Sequence, residues 1–163
     1  MNPDGPGRRG VRSDSHVKAA PRLFTFSVPG EPVAWARTRV NLGGKLFTPN
    51  KVRAFKTKVQ LVATASGVQM LEGPVELEVR FVFEWPRTLR RKRKMKDWTW
   101  LTGKPDLDNL VKGIADSLNG LAYKDDAQVV RLVATKMRGH QTRHPSTEIT
   151  VKELKALSPE ESE

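Results

Sequence analysis

Cysteine is absent from the 163 residues. That absence excludes disulfides, thiolate zinc sites and a cysteine nucleophile. Long hydrophobic runs are absent as well: no stretch approaches the roughly 18 apolar residues that a spanning helix needs. The first 22 residues carry arginine but no apolar segment, so a secretory signal is not expected. Histidine is scarce, at three residues. His16 stands in the leading segment. His140 and His144 are four apart, but Gly139 and Pro145 beside them oppose a helix and no Glu stands between them, so a zinc site is not expected. Acidic residues are outnumbered, 18 Asp+Glu against 29 Lys+Arg, for a formal net charge of +11. Such an excess directs a protein to phosphates or to anionic membrane. The expectation is a soluble, cytoplasmic protein that faces nucleic acid, with no membrane partner. Weak, unselective binding of polyanions would need no more than the same net charge.

The chain is long enough for one domain with its own core. Residues 1–22 are rich in Gly, Pro, Arg and Ser and are expected to form a disordered basic arm, serving either as a DNA tether or as an inert tail. The domain is expected over 23–154, with an acidic disordered tail at 155–163. Leu23–Val28 is a short apolar strand closed by Pro29-Gly30. Val33–Val40 and Lys45–Phe47 are extended pieces around a Gly43-Gly44 turn. Trp35, Arg37 and Arg39 then share one face, where two guanidiniums suit phosphate and an indole can stack on a base. A solvated polar face is the plainer meaning. Thr48 is expected to cap a helix with Pro49 at its first position. Val52, Phe55, Val59 and Val62 give that helix one core stripe, and Gly67 ends it. From Pro74 to Trp85 apolar and polar residues alternate, the period of a half-buried strand. A mobile basic loop is expected over 86–103, where Arg90, Arg91, Lys92, Arg93 and Lys94 crowd ahead of Trp98 and Trp100. It could clamp backbone phosphates with the tryptophans stacked on exposed bases, or be a solvated or localisation-type run. Ala127–Arg138 and Ser146–Leu154 are two further strands. The order gives an α/β (α+β) domain, a single mixed sheet covered by helices.

One stretch stands against this basic background: KPDLDNLVKGIADSLNGLAYKDD, Lys104 to Asp126. Asp106 or its neighbour is expected to cap a helix that runs to about Leu118 and ends at Asn119-Gly120. Leu107, Leu110, Val111, Ile114 and Leu118 make its apolar side, while Asp108, Lys112 and Asp116 fall four apart on a polar face. Asp125-Asp126 follow about one helix length later, so a returning strand is expected to bring Asp126 beside Asp106 and Asp108. Gathered carboxylates repel unless a cation neutralises them. Mg²⁺ takes oxygen ligands and can activate water for attack on phosphorus. Lys112 can offset charge on the phosphate, or be the salt-bridge partner of Asp108. Each acid also has a plain use, as a helix cap or a turn residue. An EF-hand is excluded, since the DxDxDG loop and its distal Glu are missing.

These residues resemble the signature of the RusA family of Holliday junction resolvases: a KPD-x-DN opening, a Lys four after the second Asp, a D-[AS]-L segment and then DD-x-x-V. The upstream GEPVAWARTR and GGKLFTP also resemble the family's N-terminal block, so the likeness spans roughly residues 24–152. It implies a homodimeric, Mg²⁺-dependent endodeoxyribonuclease, with Mn²⁺ as a substitute ion, that nicks four-way DNA junctions in paired, symmetric fashion in recombination or repair. It further implies Asp106, Asp108 and Asp126 as metal ligands and Lys112 as the catalytic lysine, with Asp116 and Asp125 at matching acidic positions. Arg37, Arg39, Lys45, Lys104 and the 87–96 run would contact DNA. That basic insert and the 1–22 arm depart from the family, and the insert extends the expected substrates to flaps and other branched DNA. Two other classes stay open on the residues alone. One is a non-catalytic binder of branched DNA with a structural acidic cluster. The other is a DxD-type transferase, disfavoured by the charge and by the lack of a second nucleotide-binding domain.

Overall fold

The computed structural model describes residues 22–36, 39–40, 46–86, 88, 98–139 and 144–155. Residues 1–21 of the expected 1–22 arm, residues 156–163 of the expected 155–163 tail and most of residues 87–97 lie outside the described residues. Among the described residues, seven strands, two helices and one 3-10 turn follow in order: β1 (Leu23–Pro29), β2 (Arg39–Val40), β3 (Leu46–Phe47), α1 (Asn50–Ala65), β4 (Val75–Phe83), β5 (Thr99–Trp100), α2 (Leu107–Leu118), the turn Asp126–Gln128, β6 (Val129–Arg138) and β7 (Ser146–Glu153). β2 and β3 pair as a separate ribbon. The other five strands form one mixed sheet in the order β1-β7-β4-β6-β5, with β4 and β6 parallel and the remaining pairs antiparallel.

The register puts the apolar positions on one face. Phe26 lies opposite Ile149, Leu77 opposite Val151 and Val79 opposite Ile149. All five are buried, along with Phe55, Val59 and Ala63 of α1 and Leu110, Ile114 and Leu118 of α2. Each large apolar side chain removed from water contributes about 1.5–3 kcal/mol. The same alternation gives the other sheet face its solvent-side pairs, Thr25 with Thr150, Arg80 with Glu148, and Arg131 with Glu76. The two helices contact each other, α1 contacts β1 and α2 contacts β6.

Several local expectations are revised. The cap position of α1 is Pro49, not Thr48, and no side chain caps it; Pro49 O instead accepts from the N–H groups of Val52 and Arg53. Arg22, assigned to the arm, is tied to β7 at both ends: its carbonyl accepts from Glu153 N–H and its guanidinium bonds the Glu153 carboxylate. Within the expected 86–103 loop, Thr99 and Trp100 form a strand on β6. In the sheet, β4 lies between β6 and β7.

β4 and β6 are parallel, so the chain must cross over between them, and α2 lies on that crossover. α2 therefore runs back toward the start of β6, with its N-terminus near the end of that strand. No described helix is long and apolar enough to cross a membrane.

Candidate active site

Asp106 occupies the cap position of α2 and Asp108 its first turn, both exposed. The Asp106 carboxylate makes no capping bond, so its oxygens are not spent on the helix end. Both acids stand at the positive end of the helix dipole. Sequence reasoning missed the residue that fixes the turn before them. Lys136, near the end of β6, donates from Nζ to the carbonyls of Gly103 (2.8 Å) and Pro105 (2.7 Å). Its own carbonyl accepts from Leu101 N–H at 3.2 Å. A half-buried lysine that satisfies two carbonyls keeps the Gly103–Pro105 turn, which contains a cis Lys104–Pro105 bond, against the sheet. Its distance in sequence from the acidic motif leaves no local signal for this role.

A second acidic group stands at the other end of α2. Asp116 is half-buried, and Asp126 opens the 3-10 turn into β6. Between them the buried Tyr123 donates its hydroxyl to Ala115 O at 3.1 Å. Burial, then the negative charges of Asp126 and Asp116, push the Tyr123 hydroxyl well above its usual range, so it stays protonated. Asp125 is a cap: its carboxylate accepts from Ala127 N–H at 2.9 Å, in a capping box with Gln128. Gln128 also donates to the carbonyls of Leu71 and Gly73, at 3.1 and 3.0 Å, and so fastens this corner to the segment before β4.

The expected meeting of Asp126 with Asp106 and Asp108 does not occur within one chain. α2 rises about 1.5 Å per residue, so its ends are roughly 17 Å apart. From the start of β6 to Lys136 is more than about 20 Å of strand. Asp126 lies at one end of this unit and Asp106 at the other. Among the described residues no three Asp, Glu or His side chains converge to hold a metal ion. The reason is the parallel β4–β6 pair: the crossover helix runs antiparallel to the strand, and its two flanks are set a helix length apart.

Lys112 lies on the exposed surface of α2, one turn beyond Asp108. It is not the salt-bridge partner of Asp108; its Nζ sits 4.3 Å from the centre of the Trp35 ring. The Val33–Trp35 strap is pinned to the helix by Trp35 N–H, which donates to Asn109 O at 2.8 Å. A groove of about 300 Å³ opens between this strap, α1 and α2, with Trp35, Arg53, Lys56 and Asp116 among its walls.

The expected DNA contacts are partly within view. Lys104 is exposed beside the Asp106 turn, and Arg39 belongs to β2. Arg37, Lys45 and Arg90, Arg91, Lys92, Arg93 and Lys94 lie outside the described residues. Exposed Trp98 and Trp100 stand where the basic run rejoins the sheet. On the helical side, Lys51, Arg53, Lys56 and Lys58 are exposed along α1.

Residues 29–152 match the family model described as endodeoxyribonuclease RusA. An uncharacterised protein of Bacillus subtilis strain 168, YqaN, is 37% identical over 140 residues, covering 80% of this chain and 96% of the relative. A crossover junction endodeoxyribonuclease rusA of Lactococcus phage r1t is 38% identical over 71 residues, covering 43% of this chain and 50% of the phage protein.

Proposed function

The chain belongs to the RusA endodeoxyribonuclease family, the Holliday junction resolvases, and on that footing we propose that it cuts four-way DNA junctions by paired, symmetric, Mg²⁺-dependent nicks as a homodimer. The observation that carries the reading is the placement of Asp106 and Asp108, exposed and uncapped at the start of α2, with Lys112 one turn on. These are hard oxygen donors, and they fit Mg²⁺ or Mn²⁺. Bound there, the ion would supply Lewis-acid polarisation of the phosphoryl oxygen and a water ionised near neutral pH. Lys112 would offset charge that builds on the phosphate.

The third ligand of the proposed set, Asp126, is a helix length away in the same chain. We place it in trans. The first half of β6 carries exposed Val130, Leu132 and Val133, at 64%, 51% and 43%. Apolar side chains on a strand edge favour pairing with another chain. Antiparallel pairing of two β6 strands about Leu132 would set Gln128 opposite Lys136 of the partner subunit. Lys136 holds the turn before Asp106, so Asp126 would approach the Asp106 and Asp108 of the other copy. Two such sites are related by a two-fold axis, in keeping with a substrate that is itself two-fold. Lys104, Arg39, Arg37, Lys45 and the 87–96 run would hold the backbone phosphates.

A junction-binding protein without chemistry is the reading favoured by the failure of one chain to gather three acids. Incubating the protein with a synthetic mobile four-way junction, a flap and linear duplex, in Mg²⁺ or in EDTA, decides between them. Paired nicks in opposing strands that need Mg²⁺ are expected; tight binding with no cutting would contradict the proposal.

A further inference from the structure

Lys112 would be a poor participant if its side chain were left to itself. A lysine has a flexible four-carbon stem and a strongly hydrated head, and ordering it costs rotamer freedom. Here the head has a seat. The Trp35 ring lies 4.3 Å from Nζ, within the range at which an aromatic face attracts an ammonium. The seat itself is tied to the helix. Trp35 is half-buried, and its N–H is bonded to Asn109 O at 2.8 Å. The strap also lies flush on the helix at Gly113, where an added Cβ would meet Trp35 N at 3.4 Å and Val33 O at 3.6 Å. The indole and the lysine thus belong to one unit, the strap and α2, held by backbone contacts on either side of Lys112.

We propose that Trp35 is a positioning residue that holds the Lys112 ammonium on the polar side of α2, one turn from Asp108, ready for the scissile phosphate. The inference rests on the reading of Lys112 as the group that meets that phosphate. It gives Trp35 a part other than stacking on a DNA base, since Lys112 lies over its ring.

The test is single-turnover cleavage of a four-way junction, with junction binding measured separately, by the full-length chain and by Trp35→Phe, Trp35→Leu, Trp35→Ala, Lys112→Ala and the Trp35→Ala/Lys112→Ala double variant. Trp35→Leu keeps apolar bulk but has no π face, so it separates loss of the seat from loss of packing; thermal melts report the fold. Trp35→Leu and Trp35→Ala are expected to slow cleavage roughly 3- to 30-fold with binding unchanged, and Trp35→Phe to recover most of the rate. In the Lys112→Ala background, Trp35→Ala is expected to add nothing. A weaker Kd with an unchanged rate, or a defect that multiplies with that of Lys112→Ala, would overturn the inference and make Trp35 a DNA platform. If Lys112→Ala itself cuts at the wild-type rate, the reading of Lys112 fails and the inference with it. A slow Lys112→Ala beside a fast Trp35→Leu would sink the inference alone.

Discussion

Replacing Asp108 with Asn keeps the size of the side chain and removes its charge. The variant is expected to cut on the order of 10²-fold more slowly, or worse, while still binding a junction. Rate and gel-shift measurements on the same preparation check it; cutting near the wild-type rate would remove Asp108 from the site. Glu153 offers a separate reading of the fold through pH. The Arg22 guanidinium bonded to it holds its carboxyl below the usual range, against the opposing effect of burial, with help from Gly73 N–H. A carboxylate with a depressed folded pKa contributes stability above its unfolded pKa and loses it as pH falls through the folded value. Thermal melts are therefore expected to show Glu153→Gln less stable than wild type at pH 6, with the gap closing below about pH 4. A gap that persists in acid would mean the pairing with Arg22 is not its source. At this scale the sequence pointed to Asp106, Asp108 and Lys112 because they fall within one helix, where spacing alone decides the face. It could not reveal that Lys112 faces Trp35, 77 positions earlier in the chain, because that depends on the docking of a strap.

The elements divide along the same line between local and distant causes. The α2 boundaries follow from Asp106 before the apolar repeat and Asn119-Gly120 after it, and Gly120 takes a φ of 74° as a helix terminator of this kind does. The β4 alternation likewise reports its half-buried face. By contrast, Thr48 resembles a cap in sequence, yet Pro49 occupies the cap position and no side chain serves there. The neighbours of β6 and β7 are set by the whole sheet, and no local pattern reports them. Lys136 joins these scales, since a strand residue there holds the turn that presents Asp106. Lys136→Met keeps the stem and deletes both carbonyl bonds. It is expected to weaken apparent Mg²⁺ affinity in cleavage assays by roughly 10- to 100-fold, the range for supports behind metal ligands, with a smaller effect on junction binding. An unchanged Mg²⁺ titration would leave Lys136 with a purely structural part.

The whole molecule carries a net charge of +11, with seven of its bases in the 87–96 run. Neutralising that run is expected to weaken junction binding and to flatten the slope of log K against log salt by about 0.9 for each phosphate that the run had neutralised. An unchanged slope would take the run out of the interface. The least legible feature was the position of Asp126. Spacing suggested that a helix and a returning strand bring the acids together, but the parallel crossover sets them at opposite ends of α2, and the proposed function unites them through a second copy. Mixing two inactive variants tests that claim most directly. Asp106→Asn and Asp126→Asn homodimers are each expected to be inactive on a four-way junction with Mg²⁺. If the sites are shared between subunits, the mixed dimer keeps one intact site, built from Asp106 and Asp108 of one chain and Asp126 of the other, and nicks one strand per junction. A mixture that remains as inactive as its parents, with mixed dimers shown to have formed, would contradict the shared site.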